Sequence, residues 1–287
     1  MTRSAMNFAP HIGLNAPDDG LFVEHAGTDP LAQIRFIHER GFRAIEDNFF
    51  KARPVEVQDA IARELERLDM RLATFVATFE TATPIGVPYG PDALSIGSGK
   101  KSDREALVRI VEESAEVAKR VGATNCTVLS GPFDLAVPRE YQTANAIENL
   151  KRCAEVAERS GLVLGLEPIN AREWTGTFVT TVPHAYLITK AVDSPACRVI
   201  FDAYHVQIET GSVLENLDLA WDQIGYVQIA DAPGRDEPGT GEMNYRTILR
   251  ALHERGYDGF VGVEHGKSRP GVEGELAVLA ALDAVTP

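Results

Sequence analysis

Positive charge is scarce in this sequence: 28 Lys and Arg stand against 42 Asp and Glu, a net charge of −14 over 287 residues. A nucleic-acid-binding surface needs clustered basic side chains, so that partner class is excluded. The same balance argues against an anionic membrane surface. No apolar run approaches the roughly 20 residues that span a bilayer. Cysteine is sparse too, with Cys126, Cys153 and Cys197 odd in number, widely spaced and set among apolar residues. They read as reduced core thiols, not as a disulfide frame or zinc site. No G-x-G-x-x-G follows the first predicted strand and no G-x-x-x-x-G-K-[ST] occurs, so a classical nucleotide site has no support. The opening residues lack an apolar core of signal-peptide length, and a cytoplasmic location is expected.

What is present is ordinary for a globular chain, 44% apolar and 24% charged, arranged in a regular rhythm. Strands are predicted over 6–14, 42–47, 71–78, 124–130, 163–169, 197–204, 224–231 and 258–265. Helical patterns fall between and after them, near 28–40, 54–69, 102–121, 140–160, 181–192, 211–221, 244–255 and 273–284. Four helix exits share one signature, "ERGF", "KRVGA", "ERSGL" and "ERGY". The basic residue suits the negative end of the helix dipole, and the glycine supplies a left-handed cap. Strands such as "LVLGLEPI" and "GFVGVE" are apolar nearly throughout, as when both faces are buried. Eight strand–helix units predict an α/β fold, a single-domain (β/α)₈ TIM barrel over 1–287. The Pro- and Gly-rich stretch 82–101 is read as a long loop over the third strand, not as a domain linker.

In such a barrel, the C-terminal strand ends face the active-site mouth. Four consecutive strands end in hard ligand types. Strand five supplies Glu167 in "GLEPIN", and strand six supplies Asp202 and His205 in "VIFDAYH". Strand seven supplies Gln228 and Asp231 in "VQIAD", and strand eight supplies Glu264 and His265 in "GVEHG". A carboxylate inside an apolar strand is costly unless it is paired or binds a metal. Each residue alone has an ordinary structural reading, as a turn cap or a satisfied core histidine. Repetition on four strands marks a constellation. Three carboxylates and an amide oxygen suit Mg²⁺ or Mn²⁺, with Co²⁺ as a further candidate. The predicted ligands are Glu167, Asp202, Gln228 and Glu264, with Glu167 and Glu264 placed to move protons as acid and base. Glu46, ending strand two in "AIEDNFF", is taken as a substrate contact, with a place behind the ligands as its alternative. Trp174 and Phe178 fit either core or pocket wall.

The runs "GLEPIN", "FDAYHVQIETG", "VQIADAPGRDEPGTGEMNY" and "GYDGFVGVEHG" resemble the hydroxypyruvate isomerase family, part of the xylose-isomerase-like TIM barrels. The resemblance covers roughly 160–266. It implies metal ligands at Glu167, Asp202, Gln228 and Glu264, and interconversion of hydroxypyruvate and tartronate semialdehyde (2-hydroxy-3-oxopropanoate). By similarity to the ketose 3-epimerases of the same superfamily, His205 and Arg235 would contact substrate oxygens. "AIEDNFF" and "EHGKSRPG" depart from the family's usual strand endings, at places that shape the substrate pocket.

The expectation is therefore an isomerase that passes a small hydroxy-carbonyl substrate through an enediolate. A ketose 3-epimerase or ketosugar lyase or dehydratase, and a non-catalytic sugar-binding barrel, are the alternatives. A small molecule is the expected partner, and both monomer and homo-oligomer stay open. One loop stands apart. Residues 232–243 are dense in Pro, Gly and acidic residues, and Arg235 is their only cation. A lid-like loop aiming Arg235 at an anionic group is expected, since its planar fork matches a carboxylate.

Overall fold

A computed structural model describes residues 6–78, 87–90 and 92–287. Residues 82–86 and 91 of the predicted long loop lie outside the described residues. The chain begins β1 (Asn7–Pro10), α1 (Val23–Ala26), α2 (Pro30–Glu39), β2 (Ala44–Glu46), α3 (Val55–Arg67) and β3 (Arg71–Thr74). It continues α4 (Lys101–Val121), β4 (Asn125–Leu129), α5 (Arg139–Ser160), β5 (Val163–Glu167), α6 (Val182–Val192) and β6 (Cys197–Asp202). The remainder is α7 (Ala203–Glu209), α8 (Val213–Ala220), β7 (Ile224–Ile229), α9 (Tyr245–Glu254), β8 (Phe260–Val263) and α10 (Gly271–Val285).

All eight predicted strands form, each ending earlier than the apolar run suggested. The largest consequence is at β6, predicted through 204. It stops at Asp202, and α7 starts at once, so His205 lies on a helix and not on a strand end. The Asp202 side chain drives this switch, accepting the Tyr204 backbone N–H at 2.8 Å in a local turn.

The residues gather into two compact units. The first comprises Met1–Phe75, Asp202–Tyr204 and Val227–Pro287. Within it β8 pairs in parallel with both β1 and β7, β2 pairs in parallel with β3, and a bridge between His11 and Glu46 joins the ends of β1 and β2. Parallel pairing aligns the C-terminal strand ends and forces helical crossovers between them. Register sets Gln228 opposite Gly262 and Ile229 opposite Val263. The second unit comprises Val76–Phe201 and His205–Tyr226, where β5 pairs in parallel with β4 and β6. There Leu129 stands opposite Glu167.

Helices dock by one apolar stripe. On α9, Tyr245, Ile248, Leu249 and Leu252 are buried at helical spacing, and Asn244 caps the first turn by accepting Thr247 N–H. The phenol of Tyr245 donates to the Ala230 carbonyl at 2.6 Å and accepts its N–H at 3.1 Å, finishing β7 where the ladder stops. The glycines of the four exit signatures, Gly41, Gly122, Gly161 and Gly256, all have positive φ, as read from the sequence. The three cysteines are free and buried, and burial pushes the Cys153 and Cys197 thiols up to about 12. They are inert core residues. Among the described residues, no helix is long and apolar enough to cross a membrane.

Candidate active site

In the first unit, four buried polar side chains stand at strand ends: Glu46 on β2, Asp202 on β6, Gln228 on β7 and Glu264 just after β8. Gln228 Nε2 donates to Glu46 Oε1 at 3.3 Å, which turns its amide oxygen the other way. The Gln228 Oε1 is buried and accepts no hydrogen bond from the described residues. Room for Glu46 comes from Gly262, where a Cβ would lie 2.2 Å from Glu46 Oε1. Asp202 and Glu264 each offer a ligand oxygen within 4.8 Å of the other. Asn48 Nδ2 donates to the second oxygen of Glu264, Oε1, at 3.0 Å.

Arg235 reaches these groups from the loop after β7. It donates to Glu264 Oε2, lies near Asp202, and stacks with its guanidinium carbon 5.1 Å from the Tyr204 ring centroid. Its side chain is only 15% exposed, so the guanidinium is turned inward. The expected lid-like loop is internally bonded. Asp231 is its hub: Oδ2 accepts Gly239 N–H at 2.7 Å, and Oδ1 accepts Met243 N–H at 3.0 Å. The Asp231 carbonyl accepts Arg235 N–H, and the Arg235 carbonyl accepts Gly266 N–H, both at 2.8 Å. These bonds hold Arg235 at a φ of 58°, a left-handed conformation costing roughly 1–3 kcal/mol for a non-glycine residue. Glu237, which the sequence left beside Arg235 as an acidic neighbour, instead accepts Ser268 N–H and O–H.

In the second unit, Glu167 ends β5 and is buried, with Oε1 3.6 Å from His205 Nε2. Asn170 Nδ2 lies 2.8 Å from His205 Nδ1, and Trp174 meets the imidazole edge-on at 5.4 Å. His265 has a different character. Burial lowers its pKa to about 4, Nδ1 lies 2.6 Å from the Gly266 carbonyl, and its own carbonyl meets His11. It is a neutral core histidine.

Comparison with known proteins decides the family. Residues 34–284 match the model of the xylose isomerase-like TIM barrel, a single match running through both units. The chain belongs to that family. Its strands and helices are those of an α/β barrel of eight units, the class whose active sites occupy the C-terminal strand ends. This barrel is 32% identical over 259 residues to the 2-oxo-tetronate isomerase of Cupriavidus necator, covering 90% of this chain and 94% of that one. It is 31% identical over 158 residues to the hydroxypyruvate isomerase of Escherichia coli, 54% of this chain and 60% of that one. A crystal structure of a family 2 AP endonuclease from Brucella melitensis superposes with a TM-score of 0.78 at 26% identity, covering 96% of this chain and 98% of that one. The chain is an isomerase of this barrel family.

Three neighbours of the predicted site residues escaped sequence reading. Asn48, Asn170 and Tyr204 each sit within three residues of a predicted site residue, but Asn in a strand-to-helix loop reads first as a turn former. Tyr204 reads as core. Proximity to the motif was the available signal.

Proposed function

We propose that this isomerase acts on a short 2-oxo acid with a hydroxyl on the next carbon, hydroxypyruvate or a four-carbon 2-oxo-tetronate, and that it does so with a divalent metal. The observation that carries the reading is the buried Gln228 amide oxygen, turned away from Glu46 and accepting no hydrogen bond from the described residues, on a strand paired with the one that leads into Glu264. A buried amide oxygen without a donor is costly, and a hard cation satisfies it. Glu167, Asp202, Gln228 and Glu264 form the proposed ligand set, and Mg²⁺ or Mn²⁺ fits its oxygens. When bound, the ion polarises the carbonyl and steadies the negative charge that follows deprotonation.

The chain's own residues move the protons. Glu167 and Glu264 are the proposed acid and base. One glutamate takes the C3 proton of hydroxypyruvate, leaving the C2–C3 enediolate. The other delivers a proton to C2, while the C3 hydroxyl proton passes to the C2 oxygen. The ketone becomes the alcohol and the alcohol the aldehyde, with no net gain or loss. Arg235, the inward cation of a chain carrying −14, supplies the counter-charge for the substrate carboxylate.

Solvent deuterium exchange tests the reading. Hydroxypyruvate and 2-oxo-tetronate incubated in D₂O with the protein and Mn²⁺ should gain carbon-bound deuterium, and EDTA should abolish the gain. No exchange into either compound, with or without metal, would refute it. Exchange into ketoses alone would move the assignment to an epimerase.

A further inference from the structure

We propose that Asn170 is a positioning residue that locks His205 as its Nε2–H tautomer, so that the imidazole presents a hydrogen-bond donor beside Glu167. The catalytic use of that donor rests on the isomerase site proposed above; the tautomer itself does not. Two N–H groups of Asn170 converge on one ring nitrogen. The backbone N–H lies 3.4 Å from His205 Nδ1, and side-chain Nδ2 lies 2.8 Å from it. A backbone N–H cannot accept a hydrogen bond, so Nδ1 must offer its lone pair.

The side-chain amide is equally constrained. Its Oδ1 accepts the Glu173 N–H at 3.0 Å, which leaves Nδ2 to face His205 and Glu173 Oε2. The turn carrying Asn170 is itself tied to α7, where Ala171 N–H donates to Glu209 Oε2 at 2.9 Å. An imidazole that accepts at Nδ1 carries its proton on Nε2. That nitrogen is the one 3.6 Å from Glu167 Oε1. Asn170 and His205 are 0% and 1% exposed, so bulk water does not compete for Nδ1.

Two consequences follow for the chemistry. His205 stays out of the metal's ligand set, because a protonated Nε2 has no lone pair to give. It is instead poised to donate to a substrate oxygen as negative charge develops there, and a neutral donor does this without quenching the Glu167 carboxylate. Held by Asn170 and flanked by Trp174, the ring need not reorient during turnover.

The test is ¹⁵N-histidine NMR of the full-length protein above the ordinary imidazole titration range, with His205→Gln used to assign the signal among seven histidines. Wild type should show a pyridine-type Nδ1 and a pyrrole-type Nε2. A ring protonated on Nδ1 overturns the proposal without any variant. Asn170→Asp replaces the donor with an acceptor and should gain the Nδ1–H form, with kcat/KM falling about tenfold or more, the scale of second-layer partners. An unchanged spectrum in that variant would show that the Asn170 side chain does not set the tautomer, which overturns its positioning role whatever happens to activity. The spectrum needs neither metal nor substrate. A protein inert toward every 2-oxo acid but showing Nε2–H would refute the functional reading and leave the tautomer lock standing.

Discussion

Arg235 stands 2.6 Å from Glu264 Oε2 and 3.8 Å from Asp202 Oδ2, so one loop cation addresses the ends of two strands. The guanidinium also stacks on Tyr204, and the proposed role is to meet a substrate carboxylate with its planar fork. Arg235→Lys retains charge and loses the planar fork. Its kcat/KM for a 2-oxo acid is expected to fall tenfold or more, about 1.4 kcal/mol or greater. Metal content and melting temperature should stay near wild type. An unchanged kcat/KM in Arg235→Ala, over every active substrate, would reduce the loop to a structural connection.

Asp202 offers the sharpest test of the metal. Purified protein is expected to bind about one divalent ion per chain, read by metal analysis and calorimetry. Asp202→Ala deletes a carboxylate from the proposed ligand set and leaves the remaining ones undercompensated around a cation. Loss of both metal and activity is the expected result. Full occupancy in the variant removes Asp202 from the ligands.

The glutamate pair separates shape from basicity. Glu167→Gln and Glu264→Gln keep an oxygen ligand and abolish the base. Each should lose roughly 10²–10⁴-fold in kcat, the usual scale of general acid–base catalysis. One of the two should still exchange a substrate proton with solvent while failing to finish the isomerisation. Near-normal turnover by both would sink the two-glutamate mechanism.

His184 supplies a pH dependence away from the site. Burial, reinforced by Arg139 nearby, lowers its pKa from 6.5 to about 4. Its Nε2 lies 3.0 Å from Thr143 Oγ1, whose own proton goes to the Arg139 carbonyl, so the ring is the donor of that bond. The unfolded chain therefore binds a proton that the folded chain refuses between these two values. Stability falls as pH drops from 6.5 toward 4 and is unaffected by this group above that window. His184→Gln keeps a donor for Thr143 and cannot titrate. Over the same window its melting temperature should fall less than that of wild type, and parallel curves would show that His184 does not contribute.

The strand positions and the strand-end polar residues were legible because each obeys a local rule. An apolar run closing on a carboxylate reads as a barrel strand, and E-R-G reads as a helix exit. What stayed hidden depends on tertiary partners. Nothing local says that Gly262 is glycine because Glu46, some 200 residues away, fills the space its Cβ would need. Nor does a strand-ending Glu46 announce that it accepts from Gln228, since either neighbour alone satisfies the sequence pattern. The end of β6 was overrun for a related reason. Ala203 and Tyr204 suit a strand as well as a helix, and the Asp202 turn decides between them. At 232–243 glycine and proline content marks turns without saying which amides are bonded, so the bonds from Gly239 and Met243 to Asp231 stayed hidden.

The Asp231 hub changes what substrate capture costs. A loop with the Gly239 and Met243 amides tied to one carboxylate already holds part of its order before any ligand arrives. Binding then carries little of the entropy loss and negative heat capacity that accompany a segment folding over its guest. Where this loop is concerned, encounter with substrate becomes a matter of desolvating the small molecule, and its rate should track solvent viscosity and salt more than a slow rearrangement of the loop.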